Sequence, residues 1–554
     1  MGPGCARGQH PPERASSFTW ALINKVTFVF PEEICGAAFA AAANRETSNH
    51  SAAEMYTASS DSLRARLVPA LRPRGRSMNT RATANGMASR LSVNGDHNGD
   101  HNGDHNGDHN GDHKVALNGN HKAALNGNHK AALSPKALKS SGWVDRWLAT
   151  CSDLAALERS NPMTDAVIDE IDGRMIRIGD QWLIDYASCN YLGFDLDREI
   201  IAAVPEYLER WGTHPSWSRM LGSPLPYVQI EERLSELLGC EDVLVLPTIT
   251  LIHMSVIPVL AGSGTIFMES NAHKTIFDGC QLATVHGATV KRFPSGDLEE
   301  LERLLKQGHA VPRMICIDGV NSMSGNYSDI TGHAALARAY DALLYVDDGH
   351  GFGIIGERSP GESCPYGQRG NSIVRHFDES YDHIMLVSGL SKSYSSLAAF
   401  LTCPPELKRL LKSAAPPYLY SGPSPIASLA TTLAGLDVNE KRGDAIRADV
   451  WQKTSTVLEA LEELGVRTQN ESGFPIIEVP LANHEDIDAV GRFLFERGIY
   501  VTLAAYPLVS KNEVGFRVQI TAANTEAEIE QLVDVLDGLA STFDMQPAES
   551  EQVA

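Results

Sequence analysis

Between residues 243 and 402, short apolar runs alternate with longer stretches whose apolar positions recur every three or four residues. The runs 243–246, 265–268, 289–293, 314–317, 343–346, 384–387 and 400–402 have the length and continuity of strands buried on both faces. Amphipathic spacing between and after them predicts helices over 249–261, 273–286, 297–307, 331–341 and 405–413. Upstream, 175–178 and 182–186 predict a hairpin turning at Gly179-Asp180. Residues 227–239 predict a helix carrying Ile230, Leu234, Leu237 and Leu238 on one face and stopping at Gly239. Beyond 440 the pattern predicts a long helix over 441–464, strand 475–479, helix 484–497, strands 499–503 and 515–520, and helix 525–541. The sum is an α/β architecture: a mostly parallel sheet in a large domain, with a smaller α/β C-terminal domain.

The ordered chain is expected to begin near Ser141-Gly142-Trp143, with a helix running through Ala156. We divide it into 141–204 (the N-terminal segment of the small lobe), 205–440 (the large domain), 441–543 (the small domain) and a polar tail, 544–554. Residues 1–140 read differently. Asn94-Gly95-Asp96-His97 is repeated five times to His113 and is followed by an eight-residue period, a tract with almost nothing to bury and hence a disordered linker. Its spaced histidines suit a transition metal, but a solvated linker is the simpler reading, and no metal site is assigned. Residues 62–94 lack acids and carry seven arginines, as organelle transit peptides do. The plainer reading, adopted here, is an over-long start with translation beginning at Met78 or Met87.

Charge and cysteines narrow the class. A formal net charge of −22 over 554 residues argues against nucleic acid or an anionic membrane as partner. The most apolar N-terminal stretch, 27–43, includes Glu32 and Glu33 and is too short to span a bilayer. Nine scattered cysteines without a Cys-x-x-Cys pair read as reduced thiols in a cytoplasmic protein.

The chemistry is concentrated at two strand ends. Ser388-Gly389-Leu390-Ser391-Lys392-Ser393 follows the apolar run 384–387. Desolvation at such a place favours a neutral amine, the form that condenses with an aldehyde, and the small neighbours let a phosphate approach. A lysine ending an ordinary strand is the alternative, and a second stretch decides against it. Run 343–346 leads into Asp347-Asp348-Gly349-His350-Gly351-Phe352-Gly353. A carboxylate there would keep a pyridine nitrogen protonated, and glycines let the turn pass close to a flat ligand. Both groups would emerge at one sheet edge, where open α/β sheets place ligands.

These two motifs, Val346–Gly356 and Gly389-Leu390-Ser391-Lys392, resemble the signatures of fold type I pyridoxal 5′-phosphate (PLP) enzymes. Within that group the chain is most similar to the class II aminotransferase-like α-oxoamine synthases, over roughly residues 143–543. The resemblance implies roles position by position. Lys392 would carry the cofactor and act as the catalytic amine; Asp347 would face the ring nitrogen. His273, in Asn271-Ala272-His273-Lys274, would stack on the ring, although alone it could equally cap a helix. Ser322 and His350 would sit beside the phenolic oxygen. Asn190 and Tyr191, in Cys189-Asn190-Tyr191-Leu192-Gly193, would lie at the substrate entrance, and Arg517, in Gly515-Phe516-Arg517-Val518, would grip the substrate carboxylate. The phosphate cradle departs from the family: Thr248-Ile249-Thr250 stands where Ser-Gly-aromatic is usual, Gly389 and Gly422 stand at threonine positions, and residues 357–376 are an insertion. Ser388, Ser391, Thr248, Thr250 and Ser421 are the replacement hydroxyls. The implied activity is a PLP-dependent acyltransferase that condenses an amino acid with an acyl thioester, on CoA or an acyl-carrier protein, with decarboxylation to an α-aminoketone. A homodimer is implied, and an aminotransferase on the same fold is the alternative.

Overall fold

The computed structural model describes Gly142, residues 161–506 and residues 509–548. The readings for residues 1–140 lie outside these, as does the helix expected through Ala156. Among the described residues no helix is long and apolar enough to cross a membrane.

Strands β1 (Glu170–Asp172), β2 (Met175–Ile178) and β3 (Gln181–Asp185) form a meander. The β2–β3 turn uses Gly179 at φ 63°, a backbone shape that glycine adopts without steric cost. The next strands are β4 (Val243–Leu246), β5 (Thr265–Glu269), β6 (Thr289–Phe293), β7 (Arg313–Asp318), β8 (Ala342–Asp347), β9 (Ile384–Gly389) and β10 (Ala399–Thr402). They form one sheet in the order β4-β10-β9-β8-β7-β5-β6. Its pairs are parallel except for the two that β10 makes with β9 and β4.

Alternation along these strands explains why they read as unbroken apolar runs. Val243, Val245, Ile315, Ile317, Leu344, Val346 and Leu386 enter one core layer. Leu244, Leu246, Met314, Cys316, Tyr345, Met385 and Val387 enter another on the opposite face. With successive side chains pointing to opposite faces, a strand covered on both sides must be apolar at every position.

The long helix expected from 441 begins instead at Ile426 and runs to Glu463. Its first turns bury Ile426, Leu429, Ala430, Leu433, Leu436 and Val438 on more than one side, which erases the amphipathic period a surface helix would show. Beyond it lie β11 (Ile476–Pro480), β12 (Ile499–Tyr500), β13 (Thr502–Ala504) and β14 (Gly515–Gln519). The single strand expected over 499–503 is therefore two. Ile499 and Tyr500 pair in parallel with β3, whereas residues 502–504 pair with β14 in the three-stranded sheet β11-β14-β13. An apolar run marks a strand without marking its partner, and here the partner changes at the buried Val501.

The insertion 357–376 is packed into the fold. Tyr366 donates to the Gly473 carbonyl at 2.7 Å. Nearby, fully buried Arg447 of the long helix donates to the Gly353 carbonyl at 3.0 Å and to Asn439 Oδ1 at 2.7 Å, and pairs with Asp444. It thereby ties the turn after β8 to the helix. Arg447→Met should lower stability by about 3 kcal/mol, because those acceptors lose a charged donor in a water-free site. A thermal midpoint equal to the wild type's would remove this role.

Candidate active site

Sheet register delivers the site residues. Asp318 and Asp347 end neighbouring strands β7 and β8 in direct register, and Asp347 faces Val387 of β9. Lys392 follows the end of β9 by three residues, and Thr248-Ile249 follow β4. Ile249, His273, Asp318, Val320, Ser322, Asp347, His350 and Lys392 line one pocket. The convergence of Lys392 and Asp347 is close: a Cβ placed on Gly349 would lie 3.3 Å from Lys392 Nζ and 2.9 Å from Asp347 Oδ1. A larger polar groove bordered by Asn326, Glu462 and Asn470 holds none of the residues singled out in the sequence.

The two carboxyls are electrostatically opposite. Burial alone would raise Asp347, but the charge and hydrogen bond of His253, the Lys392 charge and the Gly349 N–H together hold it down at about 2. His253 Nε2 lies 2.9 Å from Asp347 Oδ2, and its Nδ1 lies 2.8 Å from the Tyr345 hydroxyl. Asp318 is pushed well above the carboxylate range, by burial first and then by the Asp347 charge; it accepts from the His273 N–H at 3.0 Å. The two carboxyls are thus driven in opposite directions, as expected of two like groups that share a buried site.

Asp348 points away from this pocket. It is fully buried and accepts from the Ile373 N–H at 3.1 Å, fastening the insertion. Adjacent residues leaving a strand on opposite sides account for the split.

His350 is buried, and burial, followed by the charges of Lys392, Arg517 and His273, keeps its imidazole neutral, well below its usual range. His273 is the N-cap of the helix Lys274–Val285, accepting from the Thr275 N–H, and it lines the pocket as well. Lys392 is half-buried and Ser391 exposed. Arg517 donates to the main-chain carbonyl of Ser322, which carries the guanidinium to the pocket rim.

Four expected contacts fall elsewhere. The Ser388 hydroxyl is fully buried within β9 and donates to the Asp348 carbonyl at 3.0 Å, so it is turned from the pocket. Thr248 spends its hydroxyl as the N-cap of the helix Ile249–Ala261, accepting from the Leu251 N–H at 3.2 Å, which leaves Ile249 to line the pocket. The Asn190 side chain is committed to Asp195 and Ser395, at 3.1 and 3.0 Å. Tyr191 is fully buried, with its hydroxyl 2.8 Å from His350 Nδ1, and it braces that ring rather than facing an entrance.

Sequence reading missed His253 and gave Asp318 no role. A lone imidazole in the otherwise apolar helix 249–261 was the available signal for the first. A carboxylate ending a strand beside Asp347's strand was the signal for the second.

The depressed Asp347 carboxyl makes a pH prediction. Its folded value lies below the unfolded one, so its contribution is complete above about pH 4 and disappears as pH falls towards 2. His253→Gln removes the charge that holds it there. Burial then pulls the variant's Asp347 upward, so the wild type's stability advantage over that variant should shrink as pH falls from about 6 towards 2 in denaturant titrations. A constant advantage across that range would mean that Asp347 ionisation is not its source.

Comparison with known proteins places these observations. The family model for aminotransferase class I and II matches residues 185–536. An 8-amino-7-oxononanoate synthase from Dechloromonas aromatica is 29% identical over 377 residues, covering 68% of this chain and 94% of that one. A putative 8-amino-7-oxononanoate synthase from Desulforudis audaxviator is 31% identical, covering 63% of this chain and 88% of its own. Among solved structures, a serine palmitoyltransferase from S. paucimobilis with bound PLP superposes with a TM-score of 0.64 at 23% identity, over 72% of this chain and 97% of that one, and so shares the fold. With fold and sequence in agreement, this chain belongs to the aminotransferase class I and II family and, within it, to the α-oxoamine synthases.

Proposed function

We propose that this protein is a PLP-dependent acyltransferase that joins an amino acid to an acyl thioester, expels carbon dioxide and releases an α-aminoketone. The observation that carries the reading is the convergence of the Lys392 amine and an ionised Asp347 on one point of the pocket that His273 and His350 also line. Similarity to 8-amino-7-oxononanoate synthases over most of their length supports the reaction class.

The donor set suits the cofactor. Lys392 would hold its aldehyde carbon, Asp347 its ring nitrogen and His273 the ring face, with Ser322 and His350 beside the phenolic oxygen. Ser391, Thr250 and the first main-chain N–H groups of the helix 249–261 would receive the phosphate. Gly349 leaves the space that a flat ring requires, since a methyl there would press on Asp347 and on Lys392 Nζ together. Bound in this pocket, the cofactor supplies an electron sink for the pair left at the substrate's α carbon.

The chain's own groups perform the rest. Lys392 Nζ, on the pocket wall, is the base for the α proton. Asp347 stays negative because His253 and the Gly349 N–H hold it so. His350, neutral and fixed by Tyr191, can donate a hydrogen bond to the acyl carbonyl. Arg517 offers its guanidinium to the substrate carboxylate. The protein acts as a homodimer in this reading, which exposed Trp217 (50%), Met220 (60%), Leu221 (82%) and Tyr420 (71%) support as a face for a second copy.

Incubation of the holoenzyme with a panel of amino acids and acyl-CoA thioesters should release free thiol and carbon dioxide together. A keto acid and an aminated cofactor, without thiol release, would mark an aminotransferase instead. Gly349→Ala should weaken cofactor binding by about tenfold, the effect of roughly 1.4 kcal/mol of overpacking, with little change in the far-ultraviolet circular dichroism. Unchanged cofactor affinity in that variant would show that the ring does not lie against residue 349.

A further inference from the structure

The three-stranded sheet turns one apolar and one polar face. Ile477, Val479, Phe516 and Val518 enter the small core, so Glu478 and Arg517 leave on the other side. Glu478 of β11 lies directly opposite Arg517 of β14, and directly opposed residues of an antiparallel pair stand roughly 5 Å apart at Cβ. Glu478 is 1% exposed, yet its Oε1 has no hydrogen-bond partner. Arg517 Nε is likewise buried and unpartnered, while the far end of that side chain reaches the Ser322 carbonyl at the pocket. An acceptor and a donor are thus both unsatisfied on facing residues, each at a desolvation cost of about 1–3 kcal/mol. An acid placed there against the grain of burial acts on the arginine beside it.

We propose that Glu478 is a positioning residue for the amino-acid substrate: it takes a proton from solvent as Arg517 engages the substrate's carboxylate, so that carboxylate binding and protonation of Glu478 are coupled. The inference rests on the reading of Arg517 as the carboxylate site. The charged groups facing Glu478 are Arg517 of β14, Glu513 just before that strand and Arg467 after the long helix; Thr502 of β13, across from Arg517, is uncharged. Burial first, then Glu513, raise the Glu478 carboxyl, and Arg517 and Arg467 oppose them, leaving it at about 7. A bound carboxylate adds negative charge nearby and takes up the attraction of Arg517, so the Glu478 proton is held more tightly in the complex. The sign follows. Below about pH 7 Glu478 is protonated with or without substrate and affinity is flat; above it, affinity falls by up to tenfold per pH unit, until the value in the complex is passed.

The test titrates L-alanine into the holoenzyme between about pH 6 and 9, following the absorbance of the bound cofactor, for wild type, Glu478→Gln and Arg517→Gln. The ratio of the wild-type dissociation constant to that of Glu478→Gln should rise by severalfold, up to tenfold, from about pH 7 to 8; comparing the two removes the contribution of the substrate's amino group, which both share. Parallel pH curves for those two proteins, with binding weakened in Arg517→Gln, would overturn the inference alone. An unchanged constant in Arg517→Gln would overturn the carboxylate site and the inference with it. Should Glu478→Gln fail to fold, calorimetry of the wild type with propionate, which has no amine, in two buffers of different ionisation heat at about pH 8 reads proton uptake directly. A substantial fraction of one proton per site is expected, and none would overturn the coupling.

Discussion

A buried carboxylate that stays ionised is the constraint on which the pocket depends. Asp347 lies at a strand end with Asp318 in register beside it, and burial of both would ordinarily leave each neutral. His253, donated by the helix after β4 and itself anchored on Tyr345, breaks that symmetry by holding Asp347 down while Asp318 is pushed up. The electrostatic character of the site is therefore set from a layer below the pocket, by a helix residue that never reaches its surface. The same device recurs at His350, where a fully buried tyrosine hydroxyl occupies one ring nitrogen and leaves the other to the pocket.

This arrangement divides labour between sheet and loops. The parallel strands are apolar throughout and supply position; the residues just past their ends supply chemistry. Strand ends are suited to this, because the sheet places them rigidly while the first residues beyond are released from the ladder and can turn toward one point. The three-stranded sheet contributes differently. It presents mid-strand polar side chains from one face, so Arg517 and Glu478 are held by pairing along their whole strands and not by a loop. A guanidinium mounted in that way loses little freedom on meeting an anion.

The residues after β4 and β9, which the proposed reading gives to the cofactor's phosphate, show how an unusual sequence can be accommodated. Thr248 replaces a serine expected of the family, but it is consumed in capping its own helix, and Ser388 is consumed within its strand. What remains on the pocket side is Ile249, the exposed Ser391 and the start of a helix, so recognition there would lean on main-chain N–H groups more than on hydroxyls.

The alternation of buried strands and amphipathic helices was legible residue by residue, because periods of 2 and 3.6 are local properties of a chain that must hide one or both faces. For the same reason the strand ends could be located, and with them Lys392, Asp347 and His350, whereas His273 and Ser322 were singled out only by the family resemblance. Tertiary structure alone decided what those residues touch. His253 meets Asp347 across 94 positions and Tyr191 meets His350 across 159; no periodicity encodes such pairs, which arise from strand order and from which helix covers which strand. It also decided that the apolar run near 500 serves two sheets and that Glu478 faces Arg517, since a strand's pattern states which side is buried and is silent about its neighbour.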